Sequence, residues 1–165
     1  QLLDLLPRAI QVLPNEGAVR INNFPWKSWT TLIKPGWYLI WPIFQTTKAV
    51  EVTPQVVDLP PQSIRTKDGQ SVVISGAVQY RIVNAQKAIL EVQDFDRSLV
   101  ALALGTIARH TSEHTLNELL TGTMLDQTLR KELAAETPGW GLRIEKVFIT
   151  DLDKIRTVRL LQSAQ

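Results

Sequence analysis

Val57-Asp58-Leu59-Pro60-Pro61-Gln62-Ser63-Ile64-Arg65-Thr66-Lys67-Asp68-Gly69-Gln70-Ser71-Val72-Val73-Ile74-Ser75-Gly76-Ala77-Val78-Gln79-Tyr80-Arg81-Ile82 decides the fold. After Gly69, the residues Val72, Ile74, Val78, Tyr80 and Ile82 fall at every second position, and Gly76 fills the gap in the row. A period of two predicts a half-buried strand with those side chains on one face. Ser71, Ser75, Gln79 and Arg81 form the opposite, polar face. Asp68-Gly69 predicts a tight type I′ hairpin turn, which needs positive φ at both central residues. Gln62 to Thr66 is then the arriving, antiparallel strand. Pro60-Pro61 is expected to stop the ladder upstream, since neither residue donates a hydrogen bond.

Asp58-x-Pro60-x-Gln62, then Thr66-Lys67-Asp68-Gly69, then a long alternating strand resembles the SPFH (band 7/PHB) domain of stomatins, prohibitins and flotillins. Further pieces follow in that family's order. Pro14-Asn15-Glu16-Gly17-Ala18-Val19-Arg20 is similar to its opening strand. Lys34-Pro35-Gly36-Trp37-Tyr38-Leu39-Ile40-Trp41-Pro42-Ile43-Phe44 is similar to its Pro-Gly-x-x-x-x-x-Pro-Phe signature. Arg109, Leu116-x-Glu118-Leu119-Leu120 and Trp140-Gly141 complete the match, which spans roughly Leu13 to Leu152. One departure is Asn23, where many members place Gly. Asn tolerates a left-handed φ, so a turn survives the change.

The chain has 165 residues, of which 44% are hydrophobic, enough for one domain or two small, intimate subdomains with a real core. No window of about 18 uninterrupted apolar residues is present, so the sequence holds no complete transmembrane helix. There is no initiator Met, which leaves room for a segment upstream of Gln1. With no cysteine, disulfides and thiolate metal sites are excluded.

The net charge of +2 hides an uneven distribution. From Gly17 to Val50 there is no Asp or Glu, while Arg20, Lys27, Lys34 and Lys48 stand alone. The same segment holds Trp26, Trp29, Trp37 and Trp41, four of the chain's five tryptophans. Tryptophan beside lysine suits a bilayer interface, where an amphipathic ring meets headgroups and an ammonium meets anionic lipid. Aromatics among bases also suit single-stranded nucleic acid, where bases stack on rings. A third reading has the tryptophans filling a small β core. The membrane-contact candidates are Phe24, Trp26, Lys27, Trp29, Lys34, Trp37 and Trp41. Trp26 and Trp29, beside Pro25 and Lys27 in a predicted loop, are the foremost of these.

Helical spacing appears at both ends and in the second half. Leu2, Leu5, Leu6, Ala9, Ile10 and Leu13 predict a short amphipathic or membrane-proximal helix over residues 1–12, bent at Pro7. Ala85 to Val92 predicts a short helix. Asp94-Phe95-Asp96 offers an N-cap for a longer one, expected to end near Thr111, with Leu99, Leu102, Ala103, Thr106 and Ile107 on one face. Thr115-Leu116-Asn117-Glu118 is a capping box. Gly122 breaks the chain, and Thr123 is expected to cap a helix burying Leu125, Leu129 and Leu133 and ending at Pro138-Gly139. Leu142 and Ile144 begin a last strand, and a bulge near Glu145-Lys146 would bring Val147 and Ile149 back into phase. Ile155, Val158 and Leu161 predict the start of a C-terminal helix over 153–165.

His110-Thr111-Ser112-Glu113-His114 fits the H-x-x-E-H pattern of zinc enzymes. Thr115 as an N-cap implies that the preceding helix stops early, so the two rings are not expected to share a face. Nor is a third His or Cys available as ligand. Gly139-Trp140-Gly141 follows a helix rather than a strand, unlike a phosphate loop. The serines have no recognisable partner. No catalytic residue, metal or cofactor is therefore expected.

The expected fold is α+β: an SPFH domain with a β-rich, Trp-rich first subdomain (13–54) and an α/β second subdomain (55–152), the latter built from an antiparallel hairpin and packed helices. Asp58, Pro60, Gln62, Thr66, Asp68, Gly69, Arg109, Trp140 and Gly141 carry the structural motif. The resemblance implies a non-enzymatic, membrane-associated scaffold that forms large homo-oligomeric rings or cages, or hetero-oligomers with a related SPFH subunit. It further implies membrane microdomains and regulated integral proteins, a protease or channel among them. It favours the cytoplasmic face, with membrane lipids rather than nucleic acid as partners. The alternative from composition is a soluble module that binds single-stranded nucleic acid or a ligand through segment 17–50.

Overall fold

The computed structural model describes residues 6–92, 94–121 and 124–154. In chain order the elements are β1 (Arg8–Val12), β2 (Glu16–Phe24), β3 (Lys27–Ile33), β4 (Gly36–Ile40), β5 (Gln45–Glu51), β6 (Gln55–Arg65) and β7 (Ser71–Ile82). There follow α1 (Ala85–Leu90), α2 (Phe95–Glu113), α3 (Leu116–Thr121), α4 (Met124–Glu136), a 3-10 turn (Thr137–Trp140) and β8 (Leu142–Lys154). The strands make three antiparallel sheets, ordered β1-β4, β3-β2-β5 and β6-β7-β8. The fold is α+β, as expected.

The alternating row on β7 is the floor of the main core. Val72, Ile74, Val78, Tyr80 and Ile82 are buried against Leu99, Ala103 and Ile107 of α2 and against Leu125, Leu129 and Leu133 of α4. Gly76 belongs to this row because β8 comes close: a Cβ there would lie 2.5 Å from the Phe148 carbonyl oxygen. Asp94 caps α2 by accepting from the Arg97 amide at 3.1 Å. The capping box also forms, with Glu118 N–H donating to Thr115 Oγ1 at 3.4 Å and Thr115 N–H donating to Glu118 Oε2 at 2.8 Å.

Several expectations need correction. Arg8–Val12 is a strand paired with β4, not part of a helix. Ile10 and Val12 alternate toward a small second core of Val12, Ala18 and Ile33, where Tyr38 also packs. Burial on a partner sheet overrides a local helical period that Pro7 already weakened. The hairpin turn is longer than type I′. Gly69 has φ +77°, and among the described residues no non-glycine has positive φ. Gly69 N–H donates to Thr66 O at 2.9 Å, and Thr66 N–H donates to Gln70 O at 2.8 Å. This is the three-residue loop in which a left-handed glycine follows an ordinary turn. Pro60-Pro61 does not end the ladder. β6 is an edge strand, and the two prolines fall in a bulge between the Leu59–Gly76 and Gln62–Ile74 pairs.

The bulge near Glu145 is present, since Gln79 pairs with Lys146 and Tyr80 with Ile144. A second, unforeseen one skips Thr150 between the Ser75–Asp151 and Gly76–Ile149 pairs. α2 runs to Glu113, past Thr111. α4 stops at Glu136, before Pro138-Gly139, which fall in the 3-10 turn. Asp153 and Lys154 continue β8 rather than opening a helix. Gly122, Thr123 and 155–165 lie outside the described residues, as do Leu2 and Leu5.

α1 ties the first three-stranded sheet to the rest. It packs on β2 and β5, and a Cβ on Gly17 would meet the Ala85 Cβ at 2.6 Å.

Candidate membrane-contact surface

Phe24-Pro25-Trp26-Lys27 joins β2 to β3 in a two-residue turn, since Phe24 pairs with Lys27. Pro25 fixes a φ suited to the first turn position and removes a donor that the turn does not need. Trp26 therefore stands at the tip and is 82% exposed. Phe24 forms an aromatic stack with Trp29 at 5.5 Å and with Phe44 at 5.1 Å, both nearly parallel, and Trp26 leans on the same ring at 5.8 Å. Phe44 comes from the neighbouring turn, Trp41-Pro42-Ile43-Phe44, whose Phe44 carbonyl accepts from Asn23 N–H at 2.7 Å. Two loops thus present one apolar tip.

A chain of amides holds those loops together. Trp41 N–H donates to Gln45 Oε1 at 3.1 Å, Gln45 Nε2 donates to Asn22 Oδ1 at 3.0 Å, and Asn22 Nδ2 donates to Trp29 O at 3.4 Å. Asn22, Phe44 and Gln45 were missed in the sequence, because their roles depend on cross-strand register (Asn22 opposite both Trp29 and Gln45) that composition does not reveal.

None of the four tryptophans fills a core: Trp29 is 43%, Trp41 51% and Trp37 70% exposed. The structure brings Phe24, Trp26, Lys27, Trp29 and Trp41 together at the tip. Trp37 stands apart, four residues back from Trp41 along β4, on an outward flank with Leu39, while Tyr38 turns inward. Lys34 is at the far end of β3, about 24 Å from Lys27 at ~3.4 Å per residue. The nearest acids of this sheet, Glu16 and Glu51, pair with each other at the opposite end from the tip. Among the described residues, no helix is long and apolar enough to cross a membrane.

The sequence profile of the SPFH domain / Band 7 family matches residues 10–159. The chain belongs to that family. It is 33% identical over 134 residues to an uncharacterised protein of Methanocaldococcus jannaschii, covering 81% of this chain and 67% of that one. It is 30% identical to Stomatin-4 of Caenorhabditis elegans, across 72% of this chain and 42% of that protein. A stomatin homolog of Pyrococcus horikoshii is 29% identical, over 72% of this chain and 45% of its own length. The chain thus spans less than half of either stomatin.

Most of the residues expected to carry the structural motif sit at joins in this chain. Asp58 is exposed on β6, Pro60 lies in the bulge, and Gln62 Nε2 donates to Leu104 O at 3.1 Å, linking β6 to α2. Thr66 is buried, its hydroxyl donating to Asp68 and accepting from Gln70 N–H at 3.1 Å. Asp68 also accepts from Leu116 N–H at 3.3 Å, which docks the hairpin on α3, and the Thr66 hydroxyl holds its carboxyl below the usual range. Arg109 pairs with Glu132, bridging α2 and α4. Trp140 packs half-buried against the core, and the Gly141 carbonyl accepts from Val83 and Asn84.

His110 and His114 do share a face, contrary to expectation. Because α2 continues to Glu113, their ring centroids lie 4.1 Å apart. His114 Nδ1 is 2.8 Å from the His110 carbonyl, and His110 Nε2 is buried without a partner. Burial, then His114, lowers the His110 pKa. No group of three or more potential ligands is placed to hold a metal among the described residues.

Proposed function

We propose that this chain is a non-enzymatic, membrane-associated scaffold of the stomatin/prohibitin type that meets an anionic bilayer with its tryptophan tip. In this reading it assembles with copies of itself or with a related SPFH subunit into large rings or cages. Such assemblies organise microdomains and regulate integral proteins, a channel or protease among them, from the cytoplasmic face. Membership in a stomatin-like family supports the membrane-associated scaffold role. The observation that carries the contact is the exposure of an 82% free Trp26 beside Lys27 in an acid-free segment. An indole seated in the interface buries apolar surface while its N–H and the neighbouring ammonium stay among headgroups.

The test is flotation with phosphatidylserine-containing vesicles. Trp26→Ser should weaken binding by about ten-fold, the effect of removing roughly 60 Å² or more of buried apolar contact. It should leave the melting temperature nearly unchanged, because the ring is largely free. Trp37→Ser, on the flank, should weaken binding less. Salt should reduce affinity only in part, since apolar burial is not screened. Equal binding by wild type and a folded Trp26→Ser variant would overturn the tip assignment. A parallel titration with single-stranded oligonucleotide tests the soluble alternative, whose affinity should fall steeply with salt.

A further inference from the structure

Arg20 stands on the middle strand of the β3-β2-β5 sheet, opposite Thr31 of β3 and Thr47 of β5. Residues directly opposite share one side of a sheet, with Cβ atoms about 4.5–5.5 Å apart, so a threonine flanks the arginine on each side. That side faces the small core, because Ala18, two residues earlier on β2, packs there with Val12 and Ile33. The next row toward the tryptophan tip is Trp29–Asn22–Gln45, where Gln45 bonds Asn22 and Asn22 bonds the Trp29 carbonyl. The row away from the tip, Ile33–Ala18–Ala49, is apolar. The Thr31–Arg20–Thr47 row differs from both. Arg20 Nε and Thr47 Oγ1 are buried, and neither has a hydrogen-bond partner. Two unpaired polar atoms on directly opposed residues are a costly arrangement that one shared acceptor would relieve. Nor does a carboxylate answer the cation. Gly17 to Val50 contains no acid, and among the described residues no carboxylate is bonded to Arg20. Glu16 and Glu51 close the far end of this sheet, about 14 Å away along the strands. Both are engaged there: Glu16 accepts from Leu13 N–H at 3.0 Å, and Glu51 from the Thr53 hydroxyl at 2.6 Å.

We propose that the Thr31–Arg20–Thr47 row binds a phosphate monoester. A guanidinium presents a planar fork of N–H donors that matches two oxygens of an anion. A carboxylate has only those two oxygens, and the fork alone satisfies them. A phosphate monoester carries a third oxygen and about −1.5 to −2 charge at pH 7, so it takes the fork and a threonine hydroxyl together. Arg20 Nε and Thr47 Oγ1 then each donate to one ligand. Arg20 as a whole is part-buried, not sealed, so such a group enters from solvent. The phosphate is either free or carried on a lipid headgroup. Arg20 lies four residues before Phe24, about 14 Å along β2. The headgroup layer of one leaflet is about 5–8 Å deep. With the tip seated at the interface, the phosphodiester of an ordinary phospholipid falls short of Arg20, whereas a monoester on a sugar headgroup stands closer. The site itself does not depend on the tryptophan tip.

Inorganic phosphate is the first probe, titrated into the full chain at an ionic strength held constant with chloride. Phosphate should raise the melting temperature, because a ligand bound by the folded state alone stabilises it by mass action. Arg20→Gln should weaken binding, read by calorimetry, by about ten-fold or more. Arg20→Lys keeps the charge without the fork and should recover only part of that loss. Thr47→Val keeps the shape and removes the unpaired hydroxyl, so it serves even if Arg20→Gln folds poorly. It should leave the ligand-free melting temperature unchanged or higher, yet weaken phosphate binding by about three-fold or more. A hydroxyl with a purely structural role would not give that pair of effects. Trp26→Ser should respond to phosphate as wild type does, which separates this site from the tip. The second probe is flotation with phosphatidylserine vesicles, with and without a small fraction of phosphatidylinositol monophosphate. A gain from the monoester lipid that Arg20→Gln abolishes assigns the site to a headgroup; a response to free phosphate without that gain assigns it to a soluble phosphate. Either result supports the site. If wild type binds neither probe, or if Arg20→Gln and Thr47→Val bind as wild type does, the row holds water alone and the proposal is overturned.

Discussion

Asn22 is 1% exposed, yet it lies two residues from the end of β2 and close to the most exposed tryptophan of the chain. A buried amide survives there because both ends are bonded, to Gln45 and to the Trp29 carbonyl. Asn22→Leu keeps the volume but strands both partners, so it should cost about 1–3 kcal/mol. The tryptophan loops should loosen with it, read as a fall in both melting temperature and tryptophan fluorescence anisotropy; an unchanged anisotropy would mean that the amide chain does not hold the tip. His110 behaves differently. Its neighbours are His114, Glu113, Glu132 and Arg109, and burial keeps its folded-state pKa below the ordinary value of about 6.5. Below that value the unfolded chain takes up more protons than the folded one. Stability is thus complete above it and lost as pH falls toward the lowered pKa. Between pH 7.5 and 5.5 the melting temperature should drop, and His110→Gln should flatten the slope; a variant with the same slope as wild type would remove His110 as the cause.

At the scale of elements, Gly69 separates what local sequence decides from what it leaves open. It has φ +77°, and a Cβ there would meet nothing within 4 Å. Gly69→Ala should therefore cost only the left-handed strain, about 1–2 kcal/mol, visible as a lower urea midpoint with an unchanged slope. A cost near zero would show that the turn relaxes to another geometry. Asp68-Gly69 announced a hairpin, but whether the loop holds two residues or three is decided by Thr66, whose side chain closes it against Gln70 and Asp68. β7 was legible because twelve residues keep one period and one face. β1 was not, because five residues fit either period and only the partner strand Gly36–Ile40 decides. Reading α2 as stopping near Thr111 separated the two histidines, whereas the helix runs on and stacks them. The tryptophans were legible as a group from composition, and their division into tip and flank was not, because it depends on the register of β2 with β3 and β5 and on which side of β4 Trp37 faces.

The molecule as a whole has two cores of unequal depth. Among the described residues, fifteen buried apolar side chains form one cluster around β7, whereas beneath the β1–β4 sheet the buried members are Val12, Ala18 and Ile33. Burial of apolar surface contributes about 25 cal/mol per Å², so the same chain carries a well-anchored unit and a lightly held one. The light unit bears Trp26, Trp29, Trp37 and Trp41. Its sheets make many of their hydrogen bonds near solvent, and local opening draws on such regions first. Amide exchange should accordingly be slowest at Val78 and Tyr80 and at least about 100-fold faster in β1 and β4, a gap of roughly 3 kcal/mol in opening free energy. Adding anionic vesicles should slow exchange in the Phe24–Lys27 and Trp41–Phe44 turns and their flanking strands, because a bound surface stabilises the closed form by mass action. Exchange in β7 should slow by no more than the same factor, since opening of the whole domain also has to release the surface. If β1 and β4 exchange as slowly as β7 without vesicles, the two cores unfold as one cooperative unit and the difference in depth has no dynamic consequence. If vesicles slow β7 and leave both turns unchanged, the membrane is gripping the domain through the second unit rather than the tryptophan tip.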